Sequence, residues 1–294
     1  MINERASSPQ RLPSWLRRPL ATPGQATAVA GILGELRLNT VCLSAKCPNR
    51  GECFSSGTAT FLIMGDACTR GCRFCAVETR TPEPLDADEP RRVAEAASRM
   101  GLSHVVVTAV TRDDVADGGA AHFVAVIEAL REAVPEVAIE VLTSDFAGVL
   151  QSVDLVAAAH PAVFNHNLET VPRLYFEVRP GADYFRSLGV LARVHETQPD
   201  LPTKSGLMLG LGETEDEVGA VMSDLLAHGV RLLTLGQYLR PSAAHLPVVE
   251  FVGPEVFTRL GREARAMGFA SVASAPFVRS SYHASEMVQE ASGV

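Results

Sequence analysis

The chain has 294 residues, with 26 basic against 34 acidic side chains and a net charge of −8, which argues against a nucleic-acid protein that relies on a basic field. Hydrophobic residues are 47% and charged residues 20%, a globular composition in a chain long enough to bury roughly three quarters of its unfolded surface without disulfide staples. No apolar run approaches the ~20 residues of a membrane span, and residues 1–30 lack the apolar stretch of a secretory leader, so a cytoplasmic protein with no membrane or nucleic-acid partner is expected.

In chain order, residues 1–23 carry Arg5, Arg11, Arg17 and Arg18 among Pro9, Pro13, Pro19 and Pro23, and are expected to be an extended arm. Residues 25–36 have helical periodicity. A cysteine-bearing loop over 42–57 follows, then an apolar run over 58–65 that reads as a buried strand. From there apolar runs at 104–110, 137–142, 162–166, 205–210 and 231–236 alternate with amphipathic stretches at 89–100, 119–133, 183–197, 214–228 and 254–267. Continuous apolar strands separated by helices indicate a parallel sheet covered by helices. Polar, chemically loaded residues cluster just after the strand ends, which favours an α/β partial (β/α)6 TIM-like barrel over a doubly wound sheet. The expected organisation is an N-terminal extension over 1–57, a barrel over 58–268 and a C-terminal extension over 269–294, the two extensions capping the barrel mouth. The stretch after Ala270 is too apolar to be a loose tail.

All six cysteines lie between Cys42 and Cys75. Thiols crowded into one window of such a chain point to metal or redox chemistry rather than to packing. Cys68, Cys72 and Cys75 form a C-x3-C-x2-C pattern directly after the first predicted strand. Three thiolates can hold three irons of a 4Fe–4S cubane and leave the fourth open to a small chelating ligand. Zinc is the weaker reading, because it usually takes four ligands with paired C-x2-C spacing.

This loop, its place after the first strand and the expected partial barrel resemble the radical S-adenosylmethionine superfamily. The resemblance implies that the amino and carboxylate groups of S-adenosylmethionine chelate the open iron, and that an electron from the cluster cleaves the sulfonium to a 5′-deoxyadenosyl radical. A second triad, Cys42, Cys47 and Cys53, has C-x4-C-x5-C spacing and lies before that strand, which suggests a second cluster covering one barrel mouth. The segment Arg279-Ser280-Ser281-Tyr282-His283-Ala284 offers oxygen ligands for its remaining iron.

Together with RDDVADGGAAHF at 112–123, FNHNLETVPRLY at 164–175, VRPGADY at 178–184, PTKSGLMLGLGET at 202–214 and LTLGQYLRPS at 233–242, these features resemble the lipoyl synthase family over residues 25–284. Leu43 and Ser44, where many members carry acidic residues, and Ala275, where Gly is usual, depart from the pattern without removing a ligand. The family reading implies a sulfurtransferase of lipoate biosynthesis with two 4Fe–4S clusters and S-adenosylmethionine. It replaces hydrogens by sulfur at two saturated carbons of an octanoyl chain on a lysine of a lipoyl carrier, and the auxiliary cluster is consumed as sulfur donor. Implied partners are octanoylated lipoyl domains of 2-oxoacid dehydrogenases or the glycine cleavage H protein, an electron donor such as flavodoxin or ferredoxin, and an iron–sulfur carrier that rebuilds the cluster.

By the same resemblance Ser281 is the auxiliary cluster's oxygen ligand, with Ser280 as the alternative. An oxygen on a soft-ligand cluster leaves more readily than a thiolate. Thr108, Asn165, Asn167 and Glu169 are expected to hold the ribose or methionine end of S-adenosylmethionine. Lys204 and Arg240 are expected to pair with its carboxylate or to orient substrate. Asp117 reads as a helix cap, Thr214 with Glu217 as a capping box, and His160, His166 and His283 match no compact zinc spacing. Other two-cluster enzymes, such as a methylthiotransferase or a biotin-synthase-like sulfur inserter, and a zinc-stabilised binding module are the alternatives.

Overall fold

The computed structural model describes residues 11–17, 25–44, 47, 49–55, 58–282 and 284–292. The arm expected over 1–23 lies outside the described residues except at 11–17, where Ser14–Leu16 form a short 3-10 turn. Helix α1 (Gln25–Glu35) leads to a two-residue strand β1 (Asn39–Thr40). The first cysteine segment, expected as a loop, contains two short helices, α2 (Val41–Ser44) and α3 (Arg50–Ser55). Strand β2 (Thr58–Ile63) follows, then the short parallel pair β3 (Ala67–Cys68) and β4 (Glu78–Thr79).

Helices and strands then alternate: α4 (Glu89–Arg99), β5 (His104–Ala109), α5 (Ala120–Ala133), β6 (Ala138–Leu142), α6 (Leu150–Ala158) and β7 (Val163–Asn165). After a short helix α7 (Tyr175–Val178) come α8 (Tyr184–Thr197), β8 (Thr203–Leu209), α9 (Glu215–Ala227) and β9 (Leu232–Gln237). The chain closes with α10 (Pro254–Met267), β10 (Ser271–Ser274) and α11 (Ala284–Ser292).

One sheet runs in the order β1-β2-β5-β6-β7-β8-β9-β10. β1 is antiparallel to β2, and every other neighbouring pair is parallel. Strand order follows chain order because each crossover helix returns the chain beside the strand it has just left. The two edges, β1 and β10, do not pair, so the barrel is partial. All six expected strands are present, and the sheet carries one more parallel strand than expected. That strand, β10, lies in the stretch assigned to the C-terminal extension and pairs with β9 from Ser271↔Leu232 to Ser274↔Leu235. The β-branched run of β5, with Val105, Val106 and Val107 all fully buried, shows why such strands read as continuous apolar runs: both faces are covered. No described helix is long and apolar enough to cross a membrane.

Lys204, on β8, corrects one expectation. Its Nζ lies 3.1 and 3.2 Å from the two carboxylate oxygens of Glu140 on β6, and both side chains are 0% exposed. Asn165 Nδ2 donates to the same carboxylate at 2.9 Å. Burial works against the charge on Glu140, but Lys204, His104 and Asn165 hold its carboxyl below the usual range. Lys204 therefore cross-links β6 and β8 inside the barrel and is not free to pair with a ligand's carboxylate. Breaking such a pair from one side strands a buried charge. Lys204→Met is expected to cost about 3–5 kcal/mol of stability, and adding Glu140→Leu to restore part of it. Denaturant midpoints of the two variants check this.

Candidate functional site

In a parallel barrel all the strand C-termini open on one end, and the loops there assemble the site. The loop with Cys68, Cys72 and Cys75 leaves β2 at that end. Its Arg70 is the anchor: Nε and Nη2 donate to Asp113 after β5 at 2.7 Å each, and Nη2 lies 2.7 Å from Asp145 after β6. Asp145 is almost wholly buried. Burial opposes its charge, and the hydrogen bond and charge of Arg70 outweigh that cost and hold its carboxyl low. The backbone ties the loop further, with Thr69 N donating to Thr111 O at 3.1 Å and Arg73 N to Val178 O at 2.9 Å. Cys68 Sγ accepts from Arg70 N and Thr111 N at 3.4 and 3.3 Å.

The segment after β9 closes over the outside of this loop. Leu246 N donates to Arg73 O at 3.1 Å, and His245 Nε2 lies 2.9 Å from the Cys75 carbonyl oxygen. Arg240, expected to meet ligand, lines the cavity described below, and its Nε donates to His245 O at 2.8 Å, so part of its guanidinium shapes this closing segment.

A cavity of about 400 Å³ occupies the mouth. Cys42, Cys47 and Cys53 line it from one side and Cys75 with Phe74 from another. Asn167, Glu169, Ser280 and Ser281 also line it, among apolar walls that include Leu142, Met208 and Tyr238. The C-terminal segment is drawn across the first triad: Asn49 Nδ2 donates to Phe277 O at 2.6 Å, and Tyr282 Oη to Glu52 Oε1 at 3.0 Å. Ser280 Oγ accepts from Asn167 Nδ2 at 2.6 Å, which turns that hydroxyl toward the β7 loop and leaves Ser281 as the neighbouring hydroxyl on the wall. His283 lies outside the described residues.

All six cysteines are free thiols. Burial pushes Cys53 up to about 12, with the neighbouring Cys47 and Cys42 adding to it. Cys75 is pushed up to about 11 by burial, against a hydrogen bond from Val77 and with help from Cys72 and Cys68. Burial also raises Cys42 and Cys72. Such crowded, buried thiols hold their protons until a cation replaces them. No three Cys, His, Asp or Glu side chains among the described residues converge on a single-ion site.

Next to this triad lies a set of buried polar atoms without protein partners: Thr143 Oγ1, Asn165 Oδ1, His166 Nε2, Asn167 Oδ1 and Arg179 Nε. Arg179 Nη1 donates to Asn167 O, Leu168 O and Tyr175 Oη at 2.9–3.0 Å, and its charge acts on Cys72. Burial first, then Arg179, push His166 down to about 4, so its ring is neutral, with Nδ1 donating to Thr143 O at 2.9 Å. Burial raises the Glu169 carboxyl despite Arg179. Unpaired buried donors and acceptors are costly in a finished core and fit the edge of a polar ligand.

Of the expected ligand contacts, Asn167, Glu169 and Arg240 line the cavity. Thr108, Asn165 and Lys204 do not: Thr108 Oγ1 donates to Leu142 O at 3.0 Å, and Asn165 and Lys204 serve Glu140. Arg179 and Thr143, which carry buried unpaired atoms but do not line the cavity, were not singled out in the sequence. Arg179 had one available signal, its place in the quoted VRPGADY run just beyond a short helix.

The Radical SAM superfamily profile matches residues 62–225. The lipoyl synthase of Nitrosococcus oceani is 58% identical over 276 residues, covering 94% of this chain and 85% of the relative. That of Thiobacillus denitrificans is 56% identical over 283 residues, covering 96% and 91%. Among solved structures, Streptococcus suis SuiB bound to S-adenosylmethionine superposes with a TM-score of 0.55 at 12% identity. That match covers 72% of this chain and 47% of SuiB, a likeness of fold alone. The site thus belongs to a radical S-adenosylmethionine enzyme. The chain is a member of the lipoyl synthase family, a sulfurtransferase family whose members use S-adenosylmethionine and two 4Fe–4S clusters.

Gly206 of β8 lines the cavity where nothing larger fits: a Cβ there would collide with Thr234 Oγ1 and lie 3.0 Å from Asn167 Oδ1. Gly206→Ala is expected to fold and to weaken S-adenosylmethionine binding through about 1–3 kcal/mol of overpacking. Equilibrium binding of S-adenosylmethionine measures this.

Proposed function

We propose that this chain inserts two sulfur atoms into the octanoyl chain of an octanoylated lipoyl carrier protein, with Cys68, Cys72 and Cys75 holding one 4Fe–4S cluster and Cys42, Cys47, Cys53 and Ser281 holding the other. The single observation that carries the reading is that residues of both triads and Ser281 open on one cavity. When bound, the clusters and S-adenosylmethionine supply one-electron chemistry, a hydrogen-abstracting radical and sulfur. The chain's own residues do the rest. Arg70 holds the second loop against the β5 and β6 rims, while Asn167, Glu169, Arg179 and the Thr143 hydroxyl offer charge and hydrogen bonds to a zwitterionic ligand beside Cys72. The apolar walls at Leu142, Met208 and Tyr238 suit an alkyl chain and exclude water from it. Ser281 gives the auxiliary site a ligand that is easier to displace than a fourth thiolate.

In this reading residues 1–57 and the segment after β10 flank and cap a barrel that runs from β2 through β10. The octanoyl group is presented by a lipoyl domain of a 2-oxoacid dehydrogenase or by a glycine cleavage H protein. A flavodoxin or ferredoxin supplies electrons, and an iron–sulfur carrier rebuilds the spent cluster in the cytoplasm. These partners are the ones that membership of the family implies.

Replacing Cys68, Cys72 and Cys75 together with Ala should abolish 5′-deoxyadenosine formation and leave the other cluster's iron. Ser281→Cys should keep its iron and lose most lipoyl product, whereas Ser281→Ala should lower both. Iron and sulfide content, 5′-deoxyadenosine release and turnover of octanoylated carrier decide these together. Full lipoyl formation by Ser281→Cys would remove ligand lability from the mechanism.

A further inference from the structure

Met64 is the residue at which the chain leaves β2 for the second cysteine loop. It is buried and has a φ of 65°, a left-handed conformation that costs a side-chain-bearing residue. The strand pairing ends one residue earlier, at Ile63↔Ala109, and Met64 N–H turns to a side chain. Glu89, the first residue of α4 and 5% exposed, supplies it: Met64 N donates to Glu89 Oε2 at 2.8 Å. His122 of α5 donates to the same oxygen at 2.7 Å. On the other side of the residue, Arg112 Nη1 donates to Met64 O at 3.2 Å while its Nη2 is paired with Asp114 at 2.8 Å. The Met64 side chain lies against Gly119, where a Cβ would collide with its sulfur.

A carboxylate at a helix start often serves only its own helix. Here it reaches a backbone amide of another element, at the turn over Met64 and Gly65 by which the chain enters the loop. We propose that Glu89 is a positioning residue for the Cys68–Cys72–Cys75 loop, holding Met64 left-handed so that the three thiols meet at the barrel mouth. The proposal rests on reading those cysteines as cluster ligands. His122 orients Glu89, and Arg112 holds the following peptide link, on the C-terminal side of Met64.

The test uses the full chain, reconstituted anaerobically with iron and sulfide. Its readouts are iron per chain, melting temperature, and the change that S-adenosylmethionine causes in the electron paramagnetic resonance spectrum of the reduced protein. Glu89→Ala is expected to fall to about half the parent's iron, one of two clusters, and to lose the spectral response. Glu89→Gln keeps an acceptor oxygen and should keep both. Glycine adopts a positive φ freely, so adding Met64→Gly to Glu89→Ala should restore iron and response, while the melting temperature stays below the parent's because the Met64 packing is gone. Parental iron and response in Glu89→Ala overturn the positioning role, and so does a loss that Met64→Gly leaves unrestored. A parent chain that takes up no iron overturns the cluster reading itself, and the proposal with it.

Discussion

Arg70 is a cation from the second cysteine loop held by two carboxylates that belong to two different strand ends. Asp113 and Asp145 reach it only because β5 and β6 are parallel neighbours and end at the same height. The guanidinium's planar fork meets Asp113 bidentately and still reaches Asp145, a geometry that a compact ammonium does not match. The rest of the mouth depends on this cross-link. It fixes the loop against the β5–β6 rim, so that the β7 loop can bring Asn167 and Glu169, and the segment after β9 can bring His245, to a surface that is already in place. Asp145 would be an expensive group to bury alone, and the loop is thereby coupled to the barrel's own stability.

The cavity divides its chemistry between its walls. Soft thiols and a hydroxyl cover one side, orphaned amides and a guanidinium another, and apolar side chains fill the interval. That distribution fits a reaction whose reagents are soft, zwitterionic and aliphatic in turn. The protein's part is to hold three unlike groups within one dry space, where a reactive species meets the intended carbon before it meets solvent.

Six strands were legible because a strand buried on both faces must be apolar throughout, and His104–Ala109 or Leu232–Gln237 can hardly be read otherwise. β10 was not, since Ser271-Val272-Ala273-Ser274 is short, half polar and sits at a sheet edge. The cysteine triads stand out by spacing and Ser281 by family likeness, and the fold brings Cys42, Cys47, Cys53, Cys75 and Ser281 to one cavity. Lys204 misled for a physical reason: a lysine at a strand reads as a ligand contact until its counter-charge is known, and Glu140 lies 64 residues earlier in the chain. Asn165 is only half accounted for in this way: its Nδ2 serves Glu140, while its Oδ1 has no protein partner. Arg179 and Thr143 were missed because their unpaired atoms are a property of packing, which no local pattern in sequence reveals.

The contacts that draw the C-terminal segment over the first triad join residues 228 and 230 positions apart, Asn49 to Phe277 and Glu52 to Tyr282. The second triad closes within eight residues of chain, on a loop whose anchors, Asp113 and Asp145, come soon after it. During synthesis the two halves of the mouth therefore mature on different schedules. The carboxylates that hold Arg70 are in place once the chain after β6 has emerged, while the segment that crosses 42–53 is made last. For that interval the first triad lacks the C-terminal segment that crosses it. It is the half of the mouth most open to oxidation or to the wrong metal before the last residues fold across it.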